Sequence, residues 1–175
     1  MEKKTFRNCR FYRSGDVLFT DMEVFKGQGN DTYLASVMDL YDRKIIGWAY
    51  GKNITSELAT QAVKNACLNI PDTTGIVLHS DLGSQYTSEE FEKYLQDQGM
   101  LHSFSRKGNP YDNACIESFH SVLKKEEVYT TTYYTFEEAK SALFEYIESF
   151  YNRKRRHSAI DYKTPQQVED EALAA

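Results

Sequence analysis

Three acidic side chains, Asp21, Asp81 and Glu117, each lie in a local sequence suited to placing a carboxylate at a reactive centre. Asp21 lies inside the strand-like residues 16–25, and Asp81 directly follows the apolar residues 75–78. Glu117 lies in a segment whose apolar residues recur at the spacing of a helix, and 35 residues separate it from Asp81. Mg²⁺ prefers carboxylate oxygens, and a pair of such ions suits the breaking and rejoining of phosphodiester bonds.

Each of these residues also has a simpler interpretation. A strand aspartate or a helix glutamate is usually a solvated surface charge, and His79 is more often a packed residue than a metal ligand. Three carboxylates, each in a suitable element, together favour one shared metal site. Seven residues after Glu117, Lys124 lies on the same helical face, where it could contact a phosphate beside the metals.

Bulk properties restrict the class of protein. A chain of 175 residues predicts one domain with a real core, and 41% apolar content excludes a disordered chain. No apolar run approaches the roughly 20 residues that span a bilayer, so we expect a cytoplasmic protein with no membrane partner. The net charge of −5 is uneven, because basic residues at 1–13 and 150–163 flank an acidic body. Charge alone therefore neither supports nor excludes a nucleic-acid partner.

Periodicity predicts a mixed α/β domain. Residues 16–25, 32–38 and 44–50 are rich in strand formers and are separated by turn residues, which predicts an antiparallel meander. The buried run 76–78 predicts a fourth strand parallel to the first, and 101–104 predicts a fifth. Helices are predicted over 55–69, 87–98, 113–128 and 135–151, two of them opened by capping boxes at Thr87 and Thr135. This order fits a five-stranded mixed sheet flanked by helices.

Five segments in order resemble the catalytic cores of bacterial insertion-sequence transposases of the integrase-like (DDE, or rve, OrfB-type) group. The segments lie around Thr20-Asp21, over 33–48, over 79–88 (HSDLGSQYTS), over 108–119 (GNPYDNACIESF) and over 150–165. The 35-residue spacing between Asp81 and Glu117 is also the spacing found in this family. Some residues depart from the family pattern: Leu18 and Leu82 stand where tryptophan and glutamine are commoner. Residues 22–25 are less usual than the family's threonine-containing strand, and Glu23 adds a nearby acidic group. None of these departures removes a carboxylate.

The resemblance implies a ribonuclease H-like fold and two-metal chemistry with Asp21, Asp81 and Glu117 as catalytic residues and metal ligands. It implies two Mg²⁺ ions, with Mn²⁺ as a substitute. It further implies that water cleaves a DNA strand and that the exposed 3′-hydroxyl attacks target DNA, in a homo-oligomer. A metal-dependent nuclease that does not join ends, and an inactive DNA-binding or assembly remnant, are the alternatives.

The domain organisation predicted from the sequence has three parts. A basic arm over 1–15 precedes an integrase-like core over 16–152, and a basic extension and tail occupy 153–175. Only twenty residues precede Asp21, so we expect the helix-turn-helix domain that recognises element ends to be absent from this chain.

DNA contacts are predicted in two basic regions and beside the third carboxylate. The loop before the third carboxylate contains glycine and proline and could close over the scissile strand, and the second region ends the last predicted helix. Both could instead be ordinary surface charge or a response to the helix dipole. The candidate DNA-contact residues are Arg106, Lys107, Asn109, Asn113, Lys124, Arg153, Arg155 and Arg156.

Overall fold

The structure, a computed structural model, describes residues 15–25, 31–106 and 112–174. Within these ranges five strands form one sheet in the order β3-β2-β1-β4-β5. β2 runs antiparallel to β1 and β3, whereas β4 runs parallel to β1 and β5 parallel to β4. The predicted meander and parallel fourth strand are therefore confirmed. The strands are β1 (Val17–Phe25), β2 (Thr32–Asp39), β3 (Ile45–Gly51), β4 (Val77–Ser80) and β5 (Leu101–Phe104).

Helices cover both faces of the sheet. Two of them continue into wider π-helical turns, α3 over Lys124–Val128 and α4 over Glu145–Tyr151. A last helix, α5, follows the predicted elements and was not expected from the sequence. The α-helices are α1 (Ser56–Cys67), α2 (Glu89–Asp97), α3 (Ala114–Leu123), α4 (Phe136–Phe144) and α5 (Pro165–Leu173).

The two-residue period of β1 divides the core into two layers. Leu18 packs with the buried side chains of α1 and α2 on one face. Val17 and Phe19 pack on the other face with Ile116, Phe119 and other side chains from α3, α4 and the π-helical turns. Because alternate strand residues share a face, Asp21 lies on the α3 side of the sheet. The predicted fold class, a ribonuclease H-like five-stranded sheet flanked by helices, is confirmed.

The capping predictions had different outcomes. At α4 the capping box is present, because Thr135 accepts from the backbone N–H of Glu138 while the Glu138 side chain accepts from the N–H of Thr135. At α2 the prediction was wrong by one residue, because Ser88 is the N-cap and accepts from Phe91 N–H. Thr87 instead donates its hydroxyl to the carbonyl of Gly83, in the turn before the helix.

The C-terminal residues return to the start of β3. The buried Asn152 side chain accepts from the backbone N–H of Ile45 and donates to its carbonyl, both at 2.9 Å. Lys44 forms an ion pair with Glu169 of α5. The boundary predicted after residue 152 therefore separates segments that contact each other. None of the helices over the described ranges is long and apolar enough to cross a membrane.

Candidate active site

Asp21 lies in the middle of β1 on the face covered by α3. One carboxylate oxygen, Oδ1, accepts the backbone N–H of Met22 at 2.8 Å. The other, Oδ2, lies 3.6 Å from Nδ1 of His120. The side chain keeps 18% of its surface exposed, so it is partly enclosed and still reachable from solvent.

Asp81 lies just beyond the end of β4, beside Asp21. The β1–β4 register pairs Phe19 with His79, and continuing it by two residues puts Asp81 level with Asp21. Oδ1 of Asp81 accepts the backbone N–H of Gly83 at 2.8 Å. Partial burial, and then the charge of Asp21, raise the pKa of Asp81, although the Gly83 hydrogen bond opposes this. The two carboxylates are therefore electrostatic neighbours.

Glu117 lies on the first turn of α3, and its side chain is exposed. The helix packs on the same face of the sheet as Asp21, with Ile116 and Phe119 in the core. Its N-cap, Asn113, is buried and makes no capping bond with its side chain. The Asn113 amide oxygen instead accepts from the hydroxyl of Ser105 at 2.9 Å.

A relay of hydrogen bonds ties this helix start to β4. Because the Ser105 hydroxyl donates to Asn113, it accepts from Nε2–H of His79, which lies 3.0 Å away. His79 Nδ1 then accepts from Ser103 at 3.1 Å. Burial lowers the pKa of His79 to about 4, so the ring is neutral at neutral pH, as this pattern requires. His79 is thus a packed residue that positions the start of α3, which agrees with its simpler interpretation.

The three carboxylates offer the ligand class that Mg²⁺ prefers, and they lie on one side of the sheet. Over the residues that the structure describes, however, no group of three His, Cys, Asp or Glu side chains is close enough to hold a metal ion. Asp21 and Asp81 form the adjacent pair, and Glu117 does not complete a three-ligand set with them here. The donor chemistry of the three side chains fits a divalent ion.

Two polar contacts between β1 and α3 were not foreseen from the sequence. Buried His120 faces Asp21, and its Nε2 lies 3.2 Å from Oγ of Ser36 on β2. Nζ of Lys124 lies 3.1 Å from Oε2 of Glu23. The histidine was detectable in principle, because it follows Glu117 by one helical turn. Its partners lie on distant strands and could not be read from local sequence.

Among the candidate DNA-contact residues before α3, Arg106 is bound to a carboxylate of the protein itself. The Arg106 guanidinium donates twice to the Asp112 carboxylate, at 3.0 and 2.9 Å. This pair holds the pKa of Asp112 at about 2, chiefly through the guanidinium hydrogen bond. Lys107 and Asn109 lie outside the described residues.

The three C-terminal arginines differ in their surroundings. Arg155 donates from Nε and Nη2 to the carboxylate of Glu126, between 2.9 and 3.1 Å. The same carboxylate accepts from the Tyr146 hydroxyl at 2.6 Å. Arg153 and Arg156 are exposed, and neither makes an ion pair within the described part of the chain. The sequence did not distinguish these environments.

Comparisons with known proteins agree with the fold and the order of these elements. Residues 12–110 match the family model described as an integrase core domain, and residues 98–165 match a second model of the same description. The chain belongs to the integrase core domain family. Together with the transposase relatives described next, this confirms the resemblance to insertion-sequence transposase cores.

Curated relatives of this integrase core domain are bacterial transposases. The transposase for insertion sequence element IS904 of Lactococcus lactis subsp. lactis (strain IL1403) is 40% identical over 149 residues. That match covers 85% of this chain and 59% of the relative. The transposase InsF for insertion sequence IS3A of Escherichia coli (strain K12) is 38% identical over 142 residues, 81% of this chain and 49% of that protein. The chain therefore spans about half the length of these relatives.

Solved structures support the fold of this integrase core domain. A chain of the simian T-cell lymphotropic virus intasome in complex with PP2A regulatory subunit B56 gamma superposes with a TM-score of 0.75 at 19% identity, over 91% of this chain and 55% of that one. The HTLV-2 integrase catalytic core domain in complex with magnesium, in its dimeric form, has a TM-score of 0.65 at 17% identity, over 89% and 97% of the two chains. At these identities the likeness concerns the fold.

Proposed function

We propose that this chain is the catalytic core of a DNA transposase that cleaves DNA strands at element ends and joins the exposed 3′-hydroxyl to target DNA. The observation that carries the proposal is that Asp81 directly follows β4, whose register with β1 continues toward Asp21, on the face covered by the helix that bears Glu117. Membership of the integrase core domain family, and two relatives curated as insertion-sequence transposases, support the same activity.

Asp21, Asp81 and Glu117 would hold two Mg²⁺ ions, for which Mn²⁺ can substitute. When bound, such ions neutralise charge that develops on the phosphate and favour the deprotonated form of an attacking water or hydroxyl. A related fold was solved in complex with magnesium, which supports this choice of metal. Partial burial, and to a smaller extent the charge of Asp21, raise the pKa of Asp81, and a bound cation would offset both effects.

Other side chains of the core would position these ligands and the DNA. His120, held by Ser36, limits the directions in which the Asp21 carboxylate can turn. Lys124 lies two helical turns beyond Glu117 and supplies a cation for a backbone phosphate beside the carboxylates. Exposed Arg153 and Arg156 supply further phosphate contacts at the far end of the last predicted helix.

The active assembly would contain more than this chain. Relatives described as an intasome and as dimeric and trimeric integrase cores support a homo-oligomer. We expect recognition of element ends to depend on a helix-turn-helix domain or polypeptide outside the matched region, since the curated relatives are about twice as long as that region.

A strand-transfer assay tests the proposal. The purified core is incubated with a pre-cleaved element end, target DNA and Mn²⁺, and joined products are separated on a denaturing gel. Joining should fall at least a hundredfold in Asp21→Asn, Asp81→Asn and Glu117→Gln, and should persist in Glu137→Gln, a control that alters an exposed glutamate of α4. Cleavage without joining would instead indicate a nuclease. Absence of Mn²⁺ binding by calorimetry would indicate an inactive remnant.

A further inference from the structure

The ion pair between Glu23 and Lys124 lies next to the candidate active site. Nζ of Lys124 lies 3.1 Å from Oε2 of Glu23, and the two side chains keep 26% and 23% of their surface exposed. Oε1 of Glu23 accepts the backbone N–H of Val24 at 3.1 Å. One carboxylate oxygen is thus fixed to the strand while the other holds the ammonium.

The geometry of β1 and α3 explains why these two side chains meet. Asp21 and Glu23 are two strand residues apart, which is about 6.6 Å. Their partners His120 and Lys124 are four helical residues apart, which is about 6 Å. The two spacings match, and so α3 runs along β1 with one polar contact at Asp21 and the next at Glu23. Lys124 is therefore held at Glu23, two strand residues beyond the proposed metal ligand Asp21.

A second anion can bind the Lys124 ammonium only if the ion pair with Glu23 is broken, which costs free energy. A partly exposed pair of this kind contributes little free energy, so a DNA phosphate can displace the carboxylate. We propose that Glu23 holds Lys124 until a backbone phosphate takes its place, and that Glu23 thereby sets how tightly the core binds DNA beside Asp21. This inference rests on DNA being the substrate, as proposed above.

Glu23→Asp is the decisive variant because it keeps the negative charge and shortens the side chain by one methylene. Simple repulsion between residue 23 and DNA is then unchanged, whereas the contact with Lys124 is lost. The matched control is Glu169→Asp, which alters another partly exposed Lys–Glu pair, between Lys44 and α5. Affinity for a fluorescent DNA duplex is measured by anisotropy without divalent metal, so that catalysis does not enter.

We expect Glu23→Asp to bind DNA about two- to fivefold more tightly than the wild type, the factor that corresponds to a partly exposed ion pair. In a Lys124→Gln background the same substitution should have no effect. Lys124→Gln itself should reduce the salt slope of duplex binding by about 0.9, the value for one phosphate contact. Glu169→Asp should leave affinity and slope unchanged.

A second measurement needs no DNA. The rate at which an acylating reagent labels Lys124, followed by mass spectrometry, should rise in Glu23→Asp and not in Glu169→Asp. Equal labelling rates, an unchanged affinity, or equal gains with and without Lys124 would each overturn the inference. The two proposals can fail separately. If Glu23→Asp tightens DNA binding as expected but the wild-type core does not join DNA ends, the proposed function is overturned and this inference is not.

Discussion

The imidazole of His120 bridges two strands, with Nδ1 at 3.6 Å from Oδ2 of Asp21 and Nε2 at 3.2 Å from Oγ of Ser36. Asp21 and Ser36 are direct cross-strand partners in the β1–β2 ladder. His120 is buried, and its Nδ1 has no hydrogen-bond partner within the described part of the chain. A buried polar atom left unpaired costs free energy, and a small movement of Asp21 toward this nitrogen would pair it when the nitrogen carries a proton.

From this contact we predict effects of different size for two amide substitutions at residue 120. In His120→Asn the amide nitrogen can occupy the position of Nδ1, and in His120→Gln it can occupy that of Nε2. Residues that orient metal ligands typically change affinity tenfold or more when they are lost. We therefore expect His120→Gln to weaken Mn²⁺ binding about tenfold in calorimetry, and His120→Asn to stay within about threefold of the wild type.

Circular dichroism and urea unfolding of both variants provide the control for folding. An equal loss of Mn²⁺ affinity in the two variants would identify His120 as a packing residue only. No effect in either variant would show that Asp21 is held by the backbone N–H of Met22 alone.

The C-terminal arginines should separate into structural and DNA-contacting residues. Arg155 is committed to Glu126, so Arg155→Gln should lower the free energy of unfolding by up to about 1 kcal/mol and leave the salt slope of DNA binding unchanged. Exposed Arg156 should behave oppositely, with a slope reduced by about 0.9 in Arg156→Gln and unchanged stability. Urea titrations and binding at several salt concentrations measure both. A reduced slope in Arg155→Gln would mean that DNA displaces Glu126.

Local patterns were sufficient to predict the strands in which Asp21 lies and after which Asp81 follows. The strand formers around Asp21 and the continuous apolar run before Asp81 are both visible in nearby residues, and a run buried on both faces favours a parallel strand. The contacts of Lys124 and Arg155 did not follow, because their partners are Glu23 and Glu126, far away in the sequence. Tertiary pairing decides whether a basic side chain faces DNA or the protein.

Errors at helix ends also have a physical cause. Both Thr87 and Ser88 can cap a helix, and the turn at Gly83 uses the Thr87 hydroxyl, which leaves Ser88 as the cap. Helix α5 begins with a capping box, at Thr164 and Gln167, and with Pro165 at its first position. These signals were present in the sequence, but α5 is short and weakly apolar.

Asp42 makes the stability of the core depend on pH. Its side chain is buried in the turn between β2 and β3, where Oδ1 accepts the N–H of Lys44. Burial, and then the charge of Asp39, raise the pKa of Asp42 from 3.8 to about 7. Since the folded state binds this proton more tightly than the unfolded state, its stabilising contribution is full below pH 3.8 and is lost as pH rises to about 7.

Asp42→Asn should remove this dependence while retaining an acceptor for Lys44 N–H. We expect the variant to be more stable than the wild type at pH 8, by roughly 2 kcal/mol, and to lose the advantage near pH 4. Urea unfolding at a series of pH values measures the difference. Parallel curves for the two proteins would show that Asp42 is charged in the folded state throughout.

Gly47 permits the close approach of β3 and α1 on the face opposite the candidate site. A Cβ atom at this position would lie 2.4 Å from the backbone nitrogen of Ala66 and 2.5 Å from the carbonyl oxygen of Ala62. Backbone atoms of a helix cannot move aside singly, so in Gly47→Ala the whole of α1 must shift. We expect this variant to lose about 3 kcal/mol in the free energy of unfolding, measured by urea titration.

Gly51→Ala is the matched control for this prediction. Its Cβ would meet only the flexible side chain of Leu58, so it should lose less than half as much stability in urea unfolding. Equal losses would show that strand conformation, and not contact with α1, requires glycine at residue 47.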